Sequence, residues 1–182
     1  KTDWAIVTST AQPVVINTQG INPVHQSREE IVKILSDEFQ RRMSDNPDVR
    51  RLKSSGVLTP EFPLAVYFYG SGVRPEKEAL MEQLLREVFP QAITVEAHSD
   101  LLGAARALCG RKEGIVCSLG TGANSCLYDG KDIVSHTPAL GYIIGDEGSG
   151  AALGKRLIHD LYGGIVEKDL VSMFEKEMKL TI

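Results

Sequence analysis

The stretch from Cys117 to Gly150 constrains this chain most. It reads CSLGTGANSCLYDGKDIVSHTPALGYIIGDEGSG. A short apolar run ends in Gly120-Thr121-Gly122, and a small polar hairpin follows. Glycine has no Cβ, so successive backbone N–H groups can crowd toward a phosphate and form an anion-binding concavity. The apolar strand before the turn and the polar hairpin after it favour that reading over a plain β-turn. A second loop sets Asp146-Glu147 between Gly145 and Gly148, just before a helical pattern. Two glycine loops flanking strands predict a cleft that closes on a phosphorylated ligand. The rest of the chain must then supply a second ligand's pocket and a base.

Composition narrows the class. At 182 residues the chain is one large domain or two small ones. It is 42% hydrophobic and 24% charged, as soluble globular proteins are. A net charge of −4 gives no electrostatic reason to expect nucleic acid or an anionic membrane surface. No apolar run reaches the roughly 18 residues of a membrane helix. Cys109, Cys117 and Cys126 lack CxxC spacing, and so sparse and odd a set suits a reducing cytoplasm. They read as small buried hydrophobes. His25, His98, His136 and His159 are scattered without metal-ligand spacing, so no metal site is expected. No GxxxxGK[ST] occurs, which excludes a P-loop.

Taken in order, residues 4–8 and 14–17 read as two strands joined at Ala11-Gln12-Pro13. Ser27 with Glu30 is a capping box, and a helix runs to about Met43. Residues 44–63, with prolines at 47, 60 and 63, read as mostly loop. Residues 64–69, LAVYFY, form a continuous apolar run, predicting a strand buried on both faces. Pro75 opens a helix to about Phe89, residues 92–96 form a strand, and Ser99-Asp100 begins a helix ending at Gly110. This order implies a mainly parallel sheet with helical crossovers. Strands at 114–119, 124–128 and 132–135 come next, with Asp129-Gly130 as a hairpin turn. Helices from Ser149 to about Tyr162 and from Glu167 to Met178 close the chain. The second cycle repeats the opening of the first at an offset of about 110 residues, as in a duplicated domain.

SLGTGANS, GDEGSG and the helix start at Asp100 together resemble the actin-type sugar kinase superfamily. Within it the chain is most similar to N-acetylglucosamine kinases and the related BadF/BadG-type ATPases. The opening KTDWAIV resembles the segment just after that family's first phosphate loop. The resemblance implies an α/β fold of two ribonuclease-H-like lobes of the actin-type ATPase kind. The first lobe, residues 1–112, would be nearly complete and the second, residues 113–182, partial. It places the first phosphate loop before Lys1 and the adenosine-binding segment beyond Ile182, so these residues alone should bind nucleotide poorly.

The resemblance also implies roles. Asp100 matches the catalytic acid that takes the proton of the sugar 6-hydroxyl. From the residues alone it is equally well an ordinary helix cap. Gly120, Thr121 and Gly122 match the second phosphate loop for ATP. Asn22, Ala123, Asn124, Gly141 and Asp146 match sugar contacts. Without the family, Asn22 reads as a turn residue. For Asp146 the alternative is charge complementing the following helix, but an acid between two glycines in a loop is a better ligand candidate than one on a helix face. Animal members carry an aromatic residue just before the glycine matching Gly141; this chain has Leu140. The expected substrates are ATP with Mg²⁺ and an amino sugar, most directly N-acetylglucosamine, with room for a homodimer. A glucosamine kinase is the nearest variant. Two other classes stay open: an ATPase that activates a dehydratase, and a non-catalytic sugar sensor on the same fold. All of this rests on Asp100 and the two glycine loops facing one groove.

Overall fold

In the computed structural model, residues 1–58, 64–138 and 140–179 are described. The chain divides into two compact units, Lys1–Gly103 and Ala104–Ile182.

The first unit opens with an antiparallel hairpin of β1 (Thr2–Ile6) and β2 (Val14–Thr18). The predicted first strand begins two residues too late. The Ser27 capping box is present: Ser27 Oγ accepts the Glu30 N–H, and the Glu30 carboxylate accepts the Ser27 N–H. The helix it opens is α1 (Arg28–Lys33), which passes through a π-helical segment (Ile34–Glu38) into α2 (Phe39–Asp45).

Next comes α3 (Pro47–Ser54), which corrects the reading of this region as loop. The physical reason is positional. Pro47 sits in the first turn, where its missing N–H costs nothing, and Asn46 Oδ1 accepts the N–H groups of Asp48 and Val49. Val49 and Leu52 are buried. Pro60 and Pro63 lie outside the described residues.

A parallel pair follows, β3 (Leu64–Gly70) and β4 (Ala92–Ser99), joined through α4 (Pro75–Val88). This is the predicted strand–helix–strand crossover. It is the only parallel pair among the described residues, however, and the strands form three small sheets rather than one mainly parallel sheet. β3 is also not buried on both faces. Val66 and Phe68 are buried while Tyr67 and Tyr69 on the other face are 53% and 36% exposed.

The core of this unit gathers Ile16, Ile31, Leu35, Phe39, Phe68, Met81, Leu84, Leu85 and Val95. Each fully buried aliphatic side chain contributes about 1.5–3 kcal/mol. Aromatic contacts join the hairpin to the helices: Trp4 lies 4.9 Å from Phe39, and Phe39 meets Phe89 edge-on at 5.4 Å. The Trp4 indole N–H donates to Thr18 Oγ1 at 2.9 Å, so the partly buried ring has no orphaned donor.

The boundary between the units falls within α5 (Asp100–Cys109). The second unit continues with an antiparallel meander, β5 (Gly114–Leu119), β6 (Ala123–Tyr128) and β7 (Ile133–His136). Asp129-Gly130 forms the expected turn, with Gly130 at φ 96°. Val116, Cys126 and Tyr128 fill the buried face, and Tyr128 Oη donates to the Gly110 carbonyl at 3.0 Å. Cys109 is half-buried and Cys117 is exposed, so of the three thiols only Cys126 is a fully buried hydrophobe. Burial, then the neighbouring Cys109 and Cys117, push the Cys126 thiol up.

Three helices complete this unit: the short α6 (Gly141–Ile144), then α7 (Gly150–Tyr162) and α8 (Lys168–Met178). The sequence pattern did not predict α6, a single turn between two glycines. Among the described residues no helix is long and apolar enough to cross a membrane.

Candidate functional site

In the first unit, two expected site residues lie at the carboxyl ends of the parallel strands. Gly70 stands opposite Ser99 in the register, so the chain leaves β3 and β4 side by side. Such strand ends are where open α/β sheets bind ligands.

Asp100 follows Ser99 directly and is exposed. Ser99, not Asp100, caps the helix: Ser99 Oγ accepts the Leu102 N–H at 3.2 Å. Asp100 Oδ1 accepts only the adjacent Leu101 N–H at 2.9 Å, and Oδ2 has no partner among the described residues. The carboxylate sits in the first helical turn, where the dipole favours negative charge. Of the two readings, helix cap or functional acid, the capping role is thus already filled by a neighbour.

Asn22 sits in the loop after β2. Its Oδ1 accepts the Val24 N–H at 2.9 Å, an Asx turn, and its N–H donates to Gln26 Oε1 at 2.7 Å. The turn reading of Asn22 is therefore correct as local structure. The same side chain lies against Gly72, just beyond the end of β3. Asn22 and Asp100 thus both belong to the loops at one end of the β3–β4 pair.

His98 reaches this end as well. Its Nδ1 lies 3.0 Å from Glu78 of α4, its Nε2 lies 3.3 Å from Glu96 of β4, and its ring is 6.1 Å from Tyr69. It ties helix to strand two residues before Asp100.

In the second unit the two glycine loops meet. The Gly120 N–H donates to the Gly122 carbonyl at 2.9 Å and closes the first turn. The Gly150 N–H then donates to the Gly120 carbonyl at 2.8 Å, and the Ala151 N–H to the Thr121 carbonyl at 3.3 Å. The N-terminus of α7 therefore spends two of its free donors on the first loop. Asp146 Oδ1 accepts the Ala123 N–H at 3.2 Å. The N–H groups of Thr121 and Gly122 and the Thr121 hydroxyl have no partner among the described residues, and both residues are exposed. These are the donors an anion would find.

The remaining expected residues belong to the same unit. Ala123 opens β6, and Asn124 beside it turns its Oδ1 onto the Ser125 N–H at 2.9 Å. Gly141 opens α6 at φ 75°, a left-handed conformation that suits glycine, and α6 leads straight to Gly145-Asp146. Leu140 is 57% exposed. An aromatic side chain is present one residue on from Gly141: Tyr142 is exposed, with Lys155 Nζ 4.3 Å from its ring centroid.

Sequence reasoning took Ser149 only as a helix start and Gly72 only as part of a strand end, and gave neither a role in the site. Ser149 is fully buried, its Oγ accepts the Ala152 N–H at 3.1 Å, and its N–H donates to the Asp146 carbonyl at 3.0 Å. It fixes the helix start and the second loop together. The available signal was a serine between glycines at a helix start. For Gly72 the signal was GSG at a strand end.

No protein-family model and no curated protein matches the sequence. Among solved structures, the chain is 41% identical to a Porphyromonas gingivalis protein whose crystal structure is described as a "putative N-acetylglucosamine kinase". The TM-score is 0.81, and the match covers 98% of this chain and 59% of that one. The chain thus spans somewhat more than half the length of the protein it matches.

Proposed function

We propose that this N-acetylglucosamine-kinase-like chain carries the sugar-binding residues, the catalytic acid and one phosphate loop of an ATP-dependent amino-sugar kinase. The reaction is phosphoryl transfer from ATP to the 6-hydroxyl, most directly that of N-acetylglucosamine, in the cytoplasm. Residues 1–112 and 113–182 would be a nearly complete and a partial ribonuclease-H-like lobe of the actin type. The 41% identity over 98% of the chain supports this family assignment.

The observation that carries the chemistry is the joined pair of glycine loops. Gly150 on Gly120 and Asp146 on Ala123 hold them together and leave the Thr121 and Gly122 donors open. Phosphoryl transfer needs positioning, charge stabilisation and a proton acceptor rather than covalent chemistry from the protein. In this reading the Gly120–Gly122 turn holds ATP phosphate oxygens. Asn22, Asn124, Asp146 and the backbone at Ala123 and Gly141 orient the sugar. Asp100 takes the proton of the 6-hydroxyl as its oxygen attacks the γ-phosphorus. Mg²⁺ would come with the ATP phosphates, keeping several of its waters, and would offset the charge on the phosphoryl oxygens.

The test is ADP release by the whole gene product with Mg-ATP across a panel of sugars. Release that depends on N-acetylglucosamine is expected. Absence of release with every amino sugar, alongside an active control kinase, overturns the proposal.

A further inference from the structure

We infer that Asp146 is a positioning residue for the phosphate loop, not only a contact for the sugar. Its carboxylate holds the Gly120–Gly122 turn in the shape that leaves the Thr121 and Gly122 N–H groups pointing free. The catalytic consequence rests on the kinase reading above; the structural one does not.

The carboxylate's place calls for a reason. A negative group beside a loop meant for phosphate repels that ligand, so its presence there asks for a compensating role. What it does is visible in two contacts. Asp146 Oδ1 accepts the Ala123 N–H at 3.2 Å, the first N–H after the turn. Its two oxygens also cover Gly122: a Cβ there would come to 3.2 Å from Oδ1 and 3.3 Å from Oδ2. A side chain at Gly122 would therefore press on the carboxylate and push it aside by a few tenths of an ångström.

The backbone of Asp146 is set for this task. Its φ is 61°, a left-handed conformation that aspartate tolerates better than most residues. The Ser149 N–H on the Asp146 carbonyl closes the turn that imposes it, and Ser149 is itself fully buried. The second loop is therefore anchored in the α7 start, and Asp146 transmits that anchor to the first loop. Of the four N–H groups from Gly120 to Ala123, the first is spent within the turn and the last on Asp146. The middle two remain for an anion. One oxygen of the same carboxylate, Oδ2, has no hydrogen-bond partner among the described residues and is left for a sugar hydroxyl. A single side chain then touches the sugar and shapes the phosphate loop, and it links their binding.

Two variants separate the roles. Asp146→Asn keeps an Oδ1 acceptor and tolerates the left-handed backbone. Asp146→Gly keeps the backbone and removes the acceptor. In ligand-free protein, ¹H–¹⁵N spectra should show the Thr121 and Gly122 amides little moved and the Ala123 amide shifted but sharp in Asp146→Asn, and all three displaced further or broadened in Asp146→Gly, with β5 and β6 otherwise unchanged. In the whole gene product, Asp146→Gly should raise the KM for ATP about tenfold beyond Asp146→Asn, the usual worth of a hydrogen bond to a charged group. Should Asp146→Gly fail to fold, Gly122→Ala displaces the carboxylate from the other side and should move the same amides. Loop amides unmoved in the variant that folds, with only the sugar KM raised, overturn the inference. The spectra need no activity, so their failure is distinct from failure of the kinase reading.

Discussion

Asn22 Oδ1 lies against the Gly72 α-carbon on the side where any other residue would carry its Cβ, and Gly72 stands at φ 81°. Two loops from different strands thus fix each other at the carboxyl end of the β3–β4 pair. Gly72→Ala adds a methyl where the Asn22 carboxamide now sits and forces alanine into the left-handed region, a cost of about 1–2 kcal/mol. The expected outcome is a lower urea midpoint and, in the whole gene product, a raised KM for the sugar with the KM for ATP unchanged. Sugar KM equal to that of the parent protein would separate Asn22 from sugar binding.

Ser149 joins a helix cap to the second glycine loop, and Ser149→Ala removes only its hydroxyl. Losing the bond to the Ala152 N–H should cost about 1 kcal/mol of stability, as for other caps. Measured by denaturant titration, the loss should be confined to the midpoint, with the slope unchanged. No loss of stability would mean that a water or another group caps α7.

The β6–β7 turn should be acid-sensitive. Asp129 Oδ1 accepts the N–H groups of Asp132 and Lys131 at 2.8 Å each, and these bonds hold its carboxyl below the ordinary carboxylate range. A carboxylate pKa lowered by folding adds stability above its unfolded value, about 3.9. That contribution is lost as pH falls through the folded value. Asp129→Asn accepts the same bonds but does not titrate. Its Tm should therefore fall less steeply between about pH 4 and 2 than that of the parent protein. Parallel curves would contradict this.

Much of the fold was legible because its signals are local. The Ser27 capping box, Pro75 at a helix start, Asp129-Gly130 and the apolar run of β3 each act through neighbours a few residues away. Pro47 misled because proline breaks a helix interior but suits its first turn, and the burial of Val49 and Leu52 decides which applies. Two-sided burial of β3 misled because an apolar run does not reveal what covers each face. Tyr67 and Tyr69 have the size of core residues and lie on the exposed side. At the site, the loops were readable from their glycines, but the tie between Asp146 and Ala123 joins residues 23 apart in sequence, and no local pattern reports it. Likewise, that Ser99 rather than Asp100 caps α5 depends on a side-chain rotamer, which sequence does not display.

Asp100 is the acid on which the proposed chemistry depends, and its capping duty is already discharged by Ser99. The direct test is kcat for N-acetylglucosamine-dependent ADP release by the whole gene product and its Asp100→Asn variant, with folding checked by circular dichroism. A general base contributes about 10²–10⁴-fold. A fall in kcat within that range, at unchanged stability and little change in the KM for ATP, is the predicted result; near-parental turnover by Asp100→Asn would contradict it.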